Sequence, residues 1–193
     1  MSEVASSMGL KGPGTVVLVV GASGVGKDAL IAGAAEALAG DARMLFVTRH
    51  ITRAPHASEA FVSVSEPDFR AGLTRGDYAL SWMAHGLGYG IPRDLDTAIA
   101  AGRIAVFNAS RTAIEPARAR YAHVRVVLID CPVEVRADRI AARGRETRAD
   151  VAARLARRVD GFEASTADVV IDNSGPIEEG VARLVAALRE LAN

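Results

Sequence analysis

The sequence TVVLVVGASGVGKDALIAGAAEAL, residues 15–38, decides the fold of this chain. Its first six residues, Thr15 to Val20, are β-branched or leucine with no polar alternation, which predicts a strand buried on both faces. From Leu30 to Leu38 the apolar residues recur at the spacing of one helix face, and Gly40 predicts the helix end. The stretch is therefore a strand, a glycine-rich turn and a helix.

The turn reads GASGVGKD and matches the G-x-x-x-x-G-K pattern of a phosphate-binding loop in the expected strand–turn–helix context. Glycines permit backbone conformations that a Cβ would forbid, and the freed amides at a helix N-terminus form an anion cradle. Lys27 adds a positive charge for the β- and γ-phosphates of a nucleotide. The predicted ATP-binding residues are Gly21, Ala22, Ser23, Gly24, Val25, Gly26, Lys27 and Asp28.

Asp28 departs from the loop pattern, which has Ser or Thr after the lysine as a Mg²⁺ ligand. A carboxylate is also a hard oxygen ligand, so we predict that Asp28 holds Mg²⁺ directly or through water. The alternative is that Asp28 caps the helix N-terminus and the loop binds a phosphate without catalysis.

Composition limits the function classes. The chain has 193 residues, 50% of them hydrophobic, and no apolar run of ~18 residues, which predicts one domain and no membrane span. Equal numbers of acidic and basic residues, 23 each, argue against a nucleic-acid binder. Cys131, the single cysteine, fits a cytoplasmic location and predicts a small buried hydrophobe. We predict a disordered lead-in over 1–14 and one domain over 15–193.

Arginines follow the next short strand in TRHITRAPHASEA, residues 48–60. Ligands of open α/β sheets bind just past the carboxyl ends of strands, and the planar arginine fork meets two phosphate oxygens at once. The alternative is a solvated loop. Further on, Ser65 predicts a helix cap and Tyr78 to Met83 a strand. HGLGYGIP (His85 to Pro92) predicts a glycine-rich turn, whose glycines indicate either close backbone approach or a tight hairpin.

Two later segments carry candidate polar residues. Asn108 ends a buried strand, at the sheet edge that would face the phosphate loop. Asp130 ends the strand Val124 to Asp130, where it either caps the next helix, the interpretation we favour, or contacts a metal. Residues 136–160 are arginine-rich and predict a helical lid over a polyphosphate; a solvated helical face is the alternative.

Strands alternate with helices through the whole chain, which predicts a three-layer α/β/α domain with a mostly parallel, five-stranded core sheet. An acceptor-binding insert over about 48–92 and the lid complete it. With these segments in place, the chain resembles the guanylate kinase branch of the P-loop nucleoside monophosphate kinases. GASGVGKD resembles the phosphate loop of that family, ITRAPHASE its acceptor-phosphate clamp, and GLGYGIP its Y-G-T turn.

The departures from that branch concern the base. His56 stands for the second clamp arginine, Leu80 for the carboxylate that reads guanine, and Asn108 for a strand-end aspartate. Leucine cannot accept hydrogen bonds from a guanine N–H, and losing such a polar group typically costs orders of magnitude in selectivity. The resemblance therefore implies a phosphorylated acceptor that is not a guanine nucleotide.

GKD, HGLGYGIP, FNASR and RGRE resemble a sister family, the ribose 1,5-bisphosphate phosphokinases of phosphonate catabolism. That resemblance implies ATP with Mg²⁺ and ribose 1,5-bisphosphate as small-molecule substrates, and a monomer or homodimer. Competing interpretations are a nucleotide kinase with altered base preference, a non-catalytic binding module and a gluconate-kinase-like sugar kinase. The implied residues, beyond the loop, are Arg49, Arg53, His56, Tyr89 and Asn108 for the acceptor, Arg145 and Arg154 with Lys27 for catalysis, and Asn173 for ATP.

Overall fold

The central strand of the protein is β1, which spans Lys11–Val20 in a computed structural model that describes residues 9–55, 60–142 and 166–191. Val16 to Val20 are fully buried, as the unbroken apolar run predicts. The predicted lead-in over 1–14 is wrong in its last four residues, because Lys11 to Gly14 already belong to β1 and Lys11 pairs with Tyr121.

The main sheet has five strands in the order β2-β7-β1-β8-β9, and every neighbouring pair is parallel. This confirms the predicted α/β class. Crossovers on both sides of β1 place its carboxyl end at the point where the strand order reverses, which is where ligands bind in such sheets. The other strands of this sheet are β2 (Met44–Phe46), β7 (Ile104–Asn108), β8 (Tyr121–Asp130) and β9 (Val169–Asp172), of which β7 and β8 pair with β1.

Helices cover both faces of this sheet. Val17 and Val19 of β1 join one apolar cluster, which holds Leu30 of α1 and Leu184 of the last helix. Val16, Leu18 and Val20 of β1 join a second cluster on the opposite face. The three-layer arrangement is thereby confirmed. The helices are α1 (Lys27–Ala37), α2 (Glu66–Arg75), α3 (Asp94–Ala100), α4 (Ile114–Arg120), α5 (Val133–Ala142) and α6 (Ile177–Glu190).

A second sheet of four strands forms the segment predicted as the insert, in the order β4-β3-β6-β5. The predicted glycine-rich turn over 85–92 is a tight hairpin, one of the two forms expected of it: His85 and Gly86 make the turn, and residues 87–92 form a strand that pairs antiparallel with the preceding one. This strand needs glycine at two positions where aromatic rings approach its backbone closely. A Cβ at Gly88 would lie 2.5 Å from the ring of Phe69, and a Cβ at Gly90 would lie 2.5 Å from the ring of Tyr78. The strands are β3 (Arg49–Ile51), β4 (Phe61–Ser63), β5 (Tyr78–Ala84) and β6 (Leu87–Pro92).

The predicted lid over 136–160 begins inside α5, and 143–160 lie outside the described residues. The described part is held to the core: Ile140 is 2% exposed, and Arg139 Nη1 donates to the carbonyl oxygen of Asn173 at 2.7 Å. Arg139 is thus a structural contact of α5 rather than a mobile lid cation. Within the described ranges, no helix has both the length and the apolar character needed to cross a membrane.

Candidate phosphoryl-transfer site

The loop between β1 and α1 depends on close backbone packing. Gly21, Gly24 and Gly26 have φ values of 150°, 85° and 96°, which lie in the left-handed region. A Cβ at Gly21 would lie 2.3 Å from the carbonyl oxygen of Ile129 in β8. The glycines predicted from the motif are therefore required by both conformation and space.

Lys27 folds back over this loop. Its Nζ donates hydrogen bonds to the carbonyl oxygens of Gly21 at 2.8 Å and Ala22 at 3.0 Å. The ammonium group therefore lies against the backbone that the sequence assigns to phosphates, at the N-terminus of α1, where the helix dipole also favours an anion.

Asp28 connects the loop to two other predicted site residues. Its Oδ1 accepts hydrogen bonds from Arg49 Nη2 at 3.0 Å and from Asn108 Nδ2 at 2.7 Å. These partners come from the start of β3 and the end of β7. The alternative that Asp28 caps α1 is wrong, because the N-cap residue is Gly26 and no side-chain hydrogen bond caps the helix.

Arg49 and Asn108 are both only 8% exposed. The guanidinium carbon of Arg49 lies 6.0 Å from the centroid of the Tyr89 ring. Tyr89 in turn stacks on Trp82, with ring centroids 5.5 Å apart and ring planes 3° apart. Arg49, Asn108 and Tyr89, which the sequence assigned to the acceptor, thus lie along one path from the loop into the insert.

Arg53 lies farther into the insert, where its guanidinium carbon is 4.6 Å from the centroid of the Phe61 ring. Its carbonyl oxygen accepts a hydrogen bond from Ser63 Oγ at 2.6 Å. The acceptor role of Arg53 stays a prediction. His56, Arg145 and Arg154 lie outside the described residues.

Asn173 lies behind the loop, where it is 1% exposed. Its Nδ2 donates to the carbonyl oxygen of Val25 at 2.7 Å, and its backbone N–H donates to the backbone carbonyl oxygen of Asp130 at 2.8 Å. Direct contact with ATP, the predicted role, does not fit this burial. Asn173 supports the loop from the end of β9 instead.

The end of β8 lies beside the loop. Asp130 Oδ1 accepts a hydrogen bond from the backbone N–H of Cys131 at 3.0 Å, while α5 begins only at Val133. Asp130 therefore orders the turn before α5 without being its N-cap. Cys131 is 8% exposed, and burial raises the pKa of its thiol, as expected for the predicted small hydrophobe.

Arg111, which follows the end of β7, is a further candidate that is absent from the predicted site residues. Burial lowers the pKa of its guanidinium. The negative charge of Asp130 partly offsets this decrease, and the positive charge of Arg136 lowers the pKa further. A cation just past the end of β7 is the signal that could have found it. In the described ranges, no group of three or more His, Cys, Asp or Glu side chains could hold a metal ion.

Comparison with curated proteins decides the family. A ribose 1,5-bisphosphate phosphokinase PhnN from Methylobacterium radiotolerans is 48% identical over 177 residues, which cover 92% of this chain and 98% of the relative. The protein of the same name from Brucella melitensis is 45% identical over 93% of this chain and 94% of its own. The chain belongs to the ribose 1,5-bisphosphate phosphokinase family. No protein-family model matches it.

A solved structure similar to this member of the phosphokinase family is the guanylate kinase from Anaplasma phagocytophilum. It matches 94% of this chain and 88% of its own with a TM-score of 0.66 and 21% sequence identity, which shows a shared fold. In the phosphokinase described here, Leu80 is 5% exposed and belongs to the apolar cluster that also contains Phe107. The position at which the guanylate kinase pattern has a guanine-reading carboxylate is therefore part of the apolar core in this protein.

Proposed function

We propose that this protein transfers the γ-phosphoryl group of ATP to the 1-phosphate of α-D-ribose 1,5-bisphosphate. The products are ADP and 5-phospho-α-D-ribose 1-diphosphate, in phosphonate degradation. The observation that carries the proposal is the 48% identity over 92% of this chain to a relative named for ribose 1,5-bisphosphate. The site geometry supports the proposal, because Asp28 joins the phosphate-binding loop to the buried Arg49 and Asn108 at the edge of the sheet.

In the proposed reaction an oxygen of the 1-phosphate forms a bond to the γ-phosphorus, and the bond to the β–γ bridging oxygen breaks. ADP leaves with the electron pair of that bond. The attacking oxygen is already anionic at neutral pH, so no general base is required. Catalysis then consists of positioning and charge neutralisation.

Residue roles follow from this reaction. Lys27 neutralises the β- and γ-phosphates, and Arg49 and Arg53 bind acceptor phosphates with Tyr89 as a hydroxyl contact. The family resemblance adds three residues that lie outside the described ranges: His56 for the acceptor, and Arg145 and Arg154 for neutralising the transferred group.

Magnesium bound to ATP would supply further neutralisation of the phosphates. Such an ion is held mainly by phosphates, waters and one or two carboxylates, so the carboxylate of Asp28 next to Lys27 fits it. Asp28 would hold such an ion directly or through water, while its Oδ1 accepts hydrogen bonds from Arg49 and Asn108. We also propose a cytoplasmic monomer or homodimer that does not bind nucleic acid, supported by a balanced charge and a single cysteine.

The experiment measures ADP release from MgATP with ribose 1,5-bisphosphate, ribose 5-phosphate, GMP or AMP as acceptor. The expected result is turnover with ribose 1,5-bisphosphate alone, lost in the Lys27→Ala variant. Turnover with GMP would overturn the proposal and assign a nucleotide kinase. No ADP release with any acceptor, while ATP still binds, would favour a non-catalytic binding module.

A further inference from the structure

Asp28 joins three elements at the carboxyl edge of the main sheet. It belongs to the first turn of α1, and its Oδ1 accepts hydrogen bonds from Arg49 of β3 and Asn108 of β7. One carboxylate oxygen therefore ties the phosphate loop both to the main sheet and to the insert.

Arg49 requires this carboxylate. Its side chain is 10% exposed, whereas that of Asp28 is 39% exposed. A buried guanidinium is costly unless it is paired with an opposite charge. The bond to Asp28 uses Nη2, and a guanidinium has five N–H donors in a fixed fork, so its remaining donors suit a phosphate.

Asn108 fixes Asp28 in turn. Its Nδ2 lies 2.7 Å from the same Oδ1, and its backbone lies in the main sheet, where it pairs with Val19 of β1. Asp28 is therefore held between a rigid strand and the arginine. The orientation of the Arg49 guanidinium follows from this arrangement. Asp28, which fixes it, directly follows Lys27 of the loop in sequence.

We propose that Asp28 is a positioning residue, which holds the Arg49 guanidinium toward the accepting phosphate and so couples the ATP loop to the acceptor site. The inference rests on the proposed phosphate acceptor. Its main prediction differs from that of a direct magnesium ligand: changes at Asp28 act on the acceptor more than on MgATP. Arg49 touches substrate, and Asp28 acts through Arg49.

The test compares Asp28→Ser, which restores the usual loop residue, with Asp28→Asn, which keeps an acceptor oxygen but removes the charge. Arg49→Gln and the double variant Asp28→Ser/Arg49→Gln complete a cycle. Asp41→Asn is the matched control, because it removes a carboxylate that pairs with Arg43 at 2.8 Å on an exposed surface. For each variant we measure acceptor KM and kcat, the MgATP Kd by calorimetry, and the unfolding temperature.

Asp28→Ser is expected to raise the acceptor KM about tenfold, the size of effect that follows from losing a hydrogen bond between charged groups. Asp28→Asn should raise it less, and both should leave the MgATP Kd within about threefold. In the double variant the effect of Asp28→Ser should vanish, because Arg49 is no longer there to be held. Asp41→Asn should match the wild type.

Two results would overturn the inference. The first is a MgATP Kd at least tenfold weaker in Asp28→Asn with an unchanged acceptor KM, which would assign a metal ligand; Asp28→Ser cannot decide this, because its hydroxyl is the usual Mg²⁺ ligand of such a loop. The second is strict additivity in the double variant. If wild-type protein turned over no acceptor at all, the proposed function would fail by itself, whereas a MgATP Kd at least tenfold weaker in Asp28→Asn would overturn the positioning role of Asp28 in either case.

Discussion

Asn173 Nδ2 donates a 2.7 Å hydrogen bond to the carbonyl oxygen of Val25, although the two residues are 148 positions apart in sequence. The amide is packed between two glycines: a Cβ at Gly26 would lie 2.6 Å from Nδ2, and a Cβ at Gly180 would lie 2.4 Å from Oδ1. The loop conformation is therefore supported from the far end of the chain.

Asn173→Ala should destabilise the protein and weaken ATP binding together. The variant leaves the Val25 carbonyl unpaired in a buried place, which costs about 1–3 kcal/mol of unfolding free energy. Thermal unfolding and ATP calorimetry measure the two effects. Ser174→Ala is the matched control, since the Ser174 hydroxyl bonds the exposed Asp172. An ATP Kd equal to that of the control would contradict the supporting role.

Gly21→Ala should abolish ATP binding or folding, whereas Gly40→Ala should change little. A Cβ at Gly21 would lie 2.3 Å from a backbone oxygen, and the φ of 150° is one that L side chains rarely adopt. A Cβ at Gly40 would meet nothing within 4 Å. Soluble yield, unfolding temperature and ATP affinity provide the comparison, and equal behaviour of the two variants would refute the packing argument.

Lys27→Ala should reduce kcat by orders of magnitude and leave the unfolding temperature near that of the wild type. The charge on Lys27 neutralises the transferring phosphoryl group, while its hydrogen bonds in the free protein are to loop carbonyls only partly buried. Lys11→Ala is the control, because Lys11 is the other lysine of the chain and pairs with Asp96. Near-normal turnover of Lys27→Ala would eliminate the proposed mechanism.

Arg53→Ala should mainly raise the KM of the acceptor. Arg53 lies on the insert beside Phe61, and its proposed partner is an acceptor phosphate rather than ATP. Steady-state kinetics with each substrate varied in turn separate the two. Arg70→Ala, which removes a highly exposed arginine of α2, serves as the comparison. A change in the KM for ATP alone would contradict the assignment.

Asp96 should make stability depend on pH in the acidic range. Burial by itself would raise the pKa of Asp96, but hydrogen bonds from Arg120 and Tyr121 outweigh it and hold that pKa below its ordinary value. Because the folded pKa is the lower one, the stabilisation is complete above the unfolded value of about 4 and is lost as the pH falls through the folded value.

Asp96→Asn should therefore lower the unfolding free energy at pH 7 by about 1–3 kcal/mol, and the difference from wild type should shrink below about pH 4. Urea unfolding at a series of pH values measures this difference. Asp94→Asn, an exposed aspartate on the same helix, should show no such pattern. A difference that grew on acidification would reverse the sign of the argument.

The sequence predicts the unit β1–loop–α1 because every feature of it is local. The apolar run from Val16 to Val20, the glycines and Lys27 follow one another, and each has a single physical interpretation. The contacts of Asp28 with Arg49 and Asn108 span 21 and 80 residues, so no local pattern can specify them. The motif predicts the position of the carboxylate and leaves its partners open.

The glycines of β6 show a second limit. Gly88 and Gly90 predict close backbone approach or a tight hairpin, but they do not identify Phe69 and Tyr78 as the rings that pack there. The burial of Asn173 could not be predicted for a similar reason, because it depends on contact with the phosphate loop, far away in sequence. In both cases tertiary packing decides what the local pattern leaves open.

Trp82, which stacks on Tyr89, is an intrinsic fluorescence probe of the insert. Trp82 is the single tryptophan of the chain, and its ring is 8% exposed on β5, in the same insert as Arg49. Intrinsic fluorescence of the unlabelled protein therefore comes from one indole in the insert. Changes in its emission on adding an acceptor would report on this region without interference from the phosphate loop.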